Sequence, residues 1–435
     1  MGKVAFYTLG CKVNQYETEA MEELFEKKGY QIVESDEVAD IYVINTCTVT
    51  NLGDRKSRQF IRRAKRSNKN SIIAVVGCYS QVAPDEVGKI EGVDVVIGTT
   101  HRDKIVDLCE KAITNNEKIN IVKDIKGYKD FENLDIINVK SKTRAYIKIQ
   151  EGCNQFCSYC IIPYARGPIR SRNLKDIIEE TKRLSEAGFK EIILTGIHVA
   201  SYGKDLGPLT LLDVIEEVAK VDGIERIRLS SIEPTLIDSL FMERALNTNK
   251  LCDHFHLSLQ SGSDTVLKRM NRKYTTQQYR EIVKLIRGYM PNVGITTDII
   301  VGFPGETDME FQQTCDFVEE IGFSRIHVFK YSPRKGTPAS RFKNQIHGDI
   351  KNYRSDKLIA LGNKLMKDFN KKFLGNSLEV LFEENSKDDM GFMEGYTTNY
   401  IRVKAKGEDS IRGKILPVKI IDIEGDILIG KIEEF

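Results

Sequence analysis

The feature that most restricts how this chain can fold is an alternation, kept up twice, of short apolar runs with amphipathic helical stretches. Residues 4–8, 41–45, 72–76 and 93–97 are nearly continuous in apolar, largely β-branched side chains, as strands buried on both faces of a parallel sheet must be. Residues 17–28, 54–66 and 103–113 between and after them carry helical periodicity. From Arg144 the alternation resumes, with strands expected at 145–150, 191–195, 226–230, 256–260, 295–301 and 325–331 and helices at 174–187, 210–220, 276–289 and 308–321. Six β/α units in succession imply a parallel barrel, complete or partial, whose chemistry belongs to loops at the carboxyl ends of the strands. Residues 350–372 read as one helix leading away. The tail then changes character, with β-rich runs at 378–382, 400–403, 414–423 and 427–432 broken by turns such as Glu424-Gly-Asp, the pattern of a small antiparallel β-barrel of the oligonucleotide-binding type. The fold class expected is α/β. It comprises an N-terminal parallel-sheet domain (1–114), a charged linker with at most a strand pair (115–142), a partial (β/α)6 barrel (143–372) and a C-terminal antiparallel β-barrel (373–435).

Lys and Arg number 65 against 63 Asp and Glu, a net charge of +2. Any surface for a polyanion must therefore be local. No apolar run reaches the length of a membrane span, and Met1-Gly-Lys-Val-Ala-Phe lacks the long apolar stretch of a signal peptide. The expected setting is the cytoplasm, with no membrane partner. Nine cysteines, an odd number in a reducing compartment, do not suggest a disulfide framework. Their spacing carries the information.

Cys153, Cys157 and Cys160 form C-x3-C-x2-C directly after the first barrel strand. A structural zinc site takes four ligands, typically on paired C-x2-C arms, so three thiols fit it poorly. Thiolates at this density suit an iron–sulfur cluster, and three of them on four irons leave one position open for a ligand. Core cysteines have no packing reason to cluster in this way. Cys11, Cys47 and Cys78 are distant in sequence, yet each follows one of the first three apolar runs. Carboxyl ends of neighbouring parallel strands lie side by side, so a second three-thiolate site is geometrically reasonable. Coincidence in strand-end turns is the alternative. Cys109, Cys252 and Cys315 read as core.

The three-cysteine loop after a first barrel strand resembles the signature of the radical S-adenosylmethionine superfamily. The wider string Glu151-Gly-Cys-Asn-Gln-Phe-Cys-Ser-Tyr-Cys-Ile-Ile-Pro-Tyr-Ala-Arg-Gly, continuing to Ser171-Arg172, resembles its methylthiotransferase branch. This resemblance implies two 4Fe-4S clusters and S-adenosylmethionine as cofactors. The cluster on Cys153, Cys157 and Cys160 would cleave S-adenosylmethionine to a radical; an auxiliary cluster on Cys11, Cys47 and Cys78 would supply sulfur. It also implies a tail of the TRAM type that binds RNA, a reductant protein such as flavodoxin or ferredoxin, and a sulfur donor. Leu9-Gly-Cys-Lys-Val-Asn-Gln-Tyr-Glu17 resembles the bacterial enzymes that methylthiolate threonylcarbamoyl-adenosine in tRNA. Isopentenyl-adenosine in tRNA and a ribosomal protein are the family's other targets. A non-catalytic iron–sulfur protein that binds RNA or carries electrons is the alternative from another class.

Further site residues are expected at the strand ends. Gly196 would admit the methionine moiety of the cofactor, and Ser231 and Glu233 would meet its ribose. Gln260, Asp298 and Gly302, the last in Gly302-Phe-Pro-Gly-Glu306, would line the rest of the pocket; ordinary strand-end turns account for such residues equally well. For RNA, residues 55–66 hold seven bases and no acid, a stripe able to neutralise phosphates or simply a solvated helix face. Arg166, Arg170 and Arg172 are placed to steer a polyanion to the mouth. Tyr400, Arg402 and Lys404 combine stacking with charge in the tail, although residues 375–435 hold only eight Lys and Arg against thirteen Asp and Glu.

Overall fold

Continuous burial of the first apolar runs produces an all-parallel sheet. The computed structural model describes residues 2–134 and 143–433. Strands β1 (Lys3–Thr8), β2 (Gln31–Val33), β3 (Ile41–Thr46), β4 (Ile72–Gly77), β5 (Val95–Val96) and β6 (Ile119–Asn120) lie in the order β2-β1-β3-β4-β5-β6. Alternate residues serve two cores. Ile41 and Val43 pack with Met21, Phe25 and Ile105 on one face, while Tyr42 and Ile44 pack with Phe60 and Ile61 on the other. The sheet is thereby covered by helices Lys12–Lys27 and Ile105–Asn115 on one side and Asn51–Ser67 on the opposite side. Residues 119–120, expected in the linker, are instead the parallel edge strand β6 beside β5. Leu134 packs on Tyr16 and Ala20, so residues 115–134 belong to this first body. Residues 135–142 of the expected linker lie outside the described residues.

Strands β7 (Arg144–Glu151), β8 (Arg170–Ser171), β9 (Glu191–Gly196), β10 (Arg226–Leu229), β11 (His254–His256), β12 (Gly294–Val301) and β13 (Arg325–Lys330) build the centre. They form two pieces, β10-β9-β7-β8 and β11-β12-β13, joined by parallel bridges at Ile227–Leu251 and Ile232–Leu257. Six parallel strands thus curve into an open barrel, and β8 runs antiparallel on the outer edge of β7. Strands β7 and β13 do not pair among the described residues, and helix Lys12–Lys27 packs against β7 and β9. The fourth strand ends at His256, earlier than expected, because the chain beyond it makes only isolated bridges and Gln260 turns to φ +71°. Helices Ser239–Leu246 and Asp264–Arg269 were not legible from periodicity; six to eight residues give barely two turns.

The tail forms a closed barrel, β14 (Ser377–Asn385), β15 (Phe392–Thr397), β16 (Arg402–Lys406), β17 (Ile415–Glu424) and β18 (Ile427–Ile432), in the order β14-β15-β16-β18-β17. The barrel is antiparallel, as expected, except where β16 and β18 pair in parallel. It docks on the amino ends of the central strands. Arg226 donates to the carbonyls of Glu379 and Tyr396, and Arg228 to those of Thr397 and Thr398. Among the described residues no helix is long and apolar enough to cross a membrane.

Candidate active site

Strands β1, β3 and β4 are neighbours in the sheet, and Cys11, Cys47 and Cys78 follow their carboxyl ends in that order. The loops touch. Gly10 lies at φ +117°, and a Cβ there would stand 2.9 Å from the Cys47 Cβ. Asn14 Nδ2 donates to the carbonyls of Leu9 (2.7 Å) and Thr46 (3.0 Å), Asn45 Nδ2 donates to Asn14 O (2.8 Å), and Thr46 Oγ1 donates to Val76 O (2.6 Å). Asn14 therefore ties the first two cysteine loops together, and Thr46 ties the second to the third. Burial pushes the Cys78 thiol up to about 12, with Cys47 and Cys11 adding to the rise and Arg166 opposing it.

The second triad occupies the loop between β7 and the short helix Ile162–Arg166. Gly152 (φ +73°) enters it so close to Pro168 that a Cβ would lie 1.8 Å from the Pro168 carbonyl oxygen; only glycine fits. Backbone N–H groups of Cys153 and Cys160 donate to Gly167 O and Cys157 O. The Gln155 N–H donates to Cys153 Sγ (3.5 Å) and Arg272 Nη1 to Cys157 Sγ (3.3 Å). Burial raises Cys153 to about 11 and Cys160 to about 12, so an electropositive partner is needed to hold them as thiolates.

Among the described residues no three His, Cys, Asp or Glu side chains converge as ligands of one ion do. Thiolates on separate irons of a cluster stand wider apart than that. Three thiols per loop set, with arginine or backbone donors aimed at sulfur, fit a thiolate-held cluster in both places.

A cavity of 220 Å³ lies where the two halves meet. Val49 and Thr50, from the loop after Cys47, form one wall; Tyr159, Cys160, Gln260, Asp298, Lys330 and Tyr331 are among the residues lining the rest. Gln260 keeps its left-handed backbone through hydrogen bonds to Asp298 O and from the Ile300 N–H, 2.9 Å each, a conformation that costs a non-glycine residue about 1–3 kcal/mol and concentrates at functional sites. Glu233 accepts from His198 Nε2 (2.7 Å) and pairs with Arg272 (3.4 Å). Burial works to raise its carboxyl, but His198 and Arg272 outweigh that and hold it below the usual range.

Other expected pocket residues sit differently. Gly196 packs against the Gln150 backbone, where a Cβ would be 2.9 Å from the carbonyl oxygen. Gly302 donates its N–H to Glu306 (2.6 Å) beneath the Lys351 side chain. Ser231 is exposed, whereas its neighbour Ser230 holds a buried hydroxyl with no partner among the described residues. Sequence reasoning missed His198 and Arg272. Neither belongs to a spaced motif, and Arg272 reaches Cys157 from a loop 115 residues later.

The arginines expected to attract RNA are not available to it. Arg166 is fully buried, with Nη1 on Glu17 (2.5 Å) and Glu151, Nη2 on Asn14 Oδ1 (2.6 Å) and Nε on Cys78 Sγ (3.2 Å). Arg170 is buried on the carbonyls of Arg166 and Pro168, and Arg172 is buried against Glu180. Burial follows from their position at the seam between the first body and the central barrel. Arg166 joins a closed charge network in which Arg102, Lys148 and Arg166 meet Glu17, Glu132 and Glu151. In the tail, Arg402 pairs with Glu394, and buried Lys404 pairs with Asp389 and Glu424. Tyr400 is turned inward, its ring 4.7 Å from the Arg228 guanidinium and 4.7 Å from the His254 ring. A row of exposed cations lies elsewhere, Arg55, Lys56, Arg62, Arg63 and Arg66 on helix Asn51–Ser67, which leaves directly from the cavity wall at Thr50. Just beyond the cavity-lining residues Thr50 and Ser332, Asp54 pairs with Arg334 at 2.5 Å.

A model of the radical SAM superfamily matches residues 147–318, and one of the uncharacterized protein family UPF0004 matches residues 3–98. Threonylcarbamoyladenosine tRNA methylthiotransferase MtaB of Bacillus subtilis (strain 168) is 45% identical over 424 residues, covering 97% of this chain and 94% of that protein. The protein of the same name from Aquifex aeolicus (strain VF5) is 41% identical, covering 96% and 100%. A tRNA-2-methylthio-N(6)-dimethylallyladenosine synthase from Alkaliphilus oremlandii (strain OhILAs) is 37% identical, covering 99% and 92%. In fold, the chain is similar to the radical S-adenosylmethionine methyltransferase TsrM from Kitasatospora setae, with TM-score 0.59, 14% identity, and coverage of 78% of this chain and 77% of that one. A radical SAM domain brings an iron–sulfur cluster and S-adenosylmethionine as cofactors. With these identities running over nearly its whole length, the chain belongs to the radical S-adenosylmethionine methylthiotransferase family.

Proposed function

We propose that this protein methylthiolates N6-threonylcarbamoyladenosine in tRNA to the 2-methylthio derivative. One 4Fe-4S cluster would be held by Cys153, Cys157 and Cys160 and a second by Cys11, Cys47 and Cys78. The observation that carries this reading is the cavity walled on one side by the loop after Cys47 and on the other by Cys160, a space where a base can meet both sets of thiols. When bound, the cofactors supply one-electron chemistry able to break an aromatic C–H, together with the sulfur and methyl that replace the hydrogen.

The chain's own residues bind, orient and exclude water. Arg272 places its charge on Cys157 and Glu233 at once. Glu233, fixed by His198, offers a carboxylate of set orientation to sugar hydroxyls. Gln260 and Asp298 face the cavity with polar groups, and Tyr159, Tyr331 and Val49 give it apolar walls, the mixture expected of a small-ligand site. A reductant protein such as flavodoxin or ferredoxin and a sulfur donor complete the partners, and the 373–435 barrel is the third unit of a plan whose first unit runs to 134. The similarity to relatives named for threonylcarbamoyladenosine, at 45% and 41% identity, supports that base over dimethylallyladenosine.

The test is anaerobic reconstitution with iron and sulfide, followed by reductant, S-adenosylmethionine and tRNA. Digested tRNA should contain the methylthio derivative of threonylcarbamoyladenosine, with 5′-deoxyadenosine as co-product. Modified isopentenyl-adenosine would move the enzyme to another branch, and absence of 5′-deoxyadenosine would make it a carrier. For RNA docking, the double substitution Arg62→Ala, Arg63→Ala should weaken tRNA binding and flatten the slope of log K against log salt by about 2, roughly one per lost phosphate contact. An unchanged slope would remove the helix stripe from the interface.

A further inference from the structure

Lys12 follows Cys11 directly and opens helix Lys12–Lys27. Its side chain is half-buried, and among the described residues its ammonium has no carboxylate partner. What it has instead is two aromatic faces, Tyr146 at 5.8 Å and Tyr400 at 5.9 Å to the ring centroids, within cation–π range of about 6 Å. Tyr146 lies on β7 and Tyr400 in the turn before β16. Lys12 thus stands where all three units meet, at the edge of the barrel that β13 leaves open.

Two arginines share its surroundings. Arg228 is matched by Glu191 at 2.7 Å and Arg144 by Glu383, whereas Lys12 forms no such close pair among the described residues. Its charge is felt by its neighbours. Burial would raise the Tyr400 hydroxyl, yet Lys12, Arg144 and Arg228 together hold it below the usual phenol range. His254 and His327 are held below the usual imidazole range by burial first, with Lys12 among the cations that add to it. The cavity's Asp298 lies 3.3 Å from His256, whose ring is 5.9 Å from that of His327. Ring contacts and hydrogen bonds run from Lys12 through Tyr400, His254, Thr296 and His256 to Asp298 in the cavity wall. A group that extends from a base in the cavity and ends in a negative charge would meet an unmatched ammonium between two rings.

We propose that Lys12 is a specificity-determining residue that binds the threonyl carboxylate of the modified adenosine. The proposal rests on the methylthiotransferase reading above and adds how the base is chosen. An ammonium in this position favours a carboxylate through a charge-assisted hydrogen bond. An apolar isopentenyl group would leave it desolvated and unpaired.

The methionine carboxylate of the cofactor has the same chemistry, so the experiment separates the two. Anticodon stem-loops carrying threonylcarbamoyladenosine, or the same base with its carboxylate capped as the methylamide, are titrated into anaerobically reconstituted holoenzyme. Wild type should bind the acid about 10- to 100-fold more tightly than the amide, the range of one charge-assisted hydrogen bond. Lys12→Gln should collapse that ratio, and Lys12→Arg should restore part of it. Equal losses on both RNAs in Lys12→Gln would overturn the proposal and make Lys12 structural. An intact ratio with a raised KM for S-adenosylmethionine would overturn it in favour of the cofactor carboxylate. A wild type that modifies a different nucleoside would overturn the underlying reading itself, an outcome seen in the product before any variant is made.

Discussion

Replacing Cys153 with Ala is expected to lower 5′-deoxyadenosine formation by at least about 100-fold, since even loss of a residue that merely supports a metal ligand costs up to that much. Replacing Cys47 should leave that cleavage within a few-fold of wild type, in the range of an indirect effect, while methylthio transfer to tRNA falls below detection. The asymmetry follows from where the thiols sit. Cys153 is on the loop after β7, tied through its N–H to Gly167 and facing Arg272 by way of Cys157. Cys47 follows β3 in a different sheet, held by the Asn14 and Thr46 hydrogen bonds that do not touch the 153–160 loop. Each variant is assayed anaerobically for 5′-deoxyadenosine and for modified nucleoside in the same tube. Equal loss of both products in both variants would refute separate roles for the two triads.

The second large effect concerns the seam. Glu17→Gln keeps the shape of the side chain and removes the charge at the centre of the network. Glu17 is fully buried and accepts from Arg166 at 2.5 Å and Lys148 at 2.8 Å, with Arg102 also at 2.5 Å. Burial would raise its carboxyl, but these three cations hold it well below the usual range. Breaking a buried ion network from one side leaves uncompensated charge, at a cost of about 3–5 kcal/mol. The variant should unfold at clearly lower urea concentration than wild type, and iron retention by the first body should fall with it because Arg166 also holds Asn14 and Cys78. A loss below about 1 kcal/mol, the worth of an exposed pair, would show that the network is solvated in solution.

Much of the architecture was legible because it depends on local pattern. Continuous β-branched runs announced β1, β3 and β4, and a parallel sheet brings the carboxyl ends of neighbouring strands together. The meeting of Cys11, Cys47 and Cys78 at one edge could therefore be anticipated without any contact being known. The edge strand β6 could not, since two residues flanked by charge carry no period. Tyr400 was read as strand, but it stands at φ +67° in the turn between β15 and β16, where its N–H donates to Thr397 O and the Ile401 N–H to Thr397 Oγ1.

Charge was the least legible property. A lysine or arginine in sequence looks the same whether it meets solvent, a carboxylate or a thiol. Arg166, Arg170 and Arg172 were read as a polyanion path because bases cluster after the cysteine loop, and they prove to be the buried joint between two bodies. The sequence by itself determined the number and order of β/α units and the loops on which the thiols stand, because hydrophobic periodicity and strand direction are short-range properties. Only the tertiary structure decided which charges face one another, that His198 and Arg272 meet on Glu233, and that Lys12 has no carboxylate partner among the described residues. Those outcomes depend on how the barrel's loops converge and on which surfaces the three units bury against each other, and the pairing joins residues up to more than a hundred positions apart.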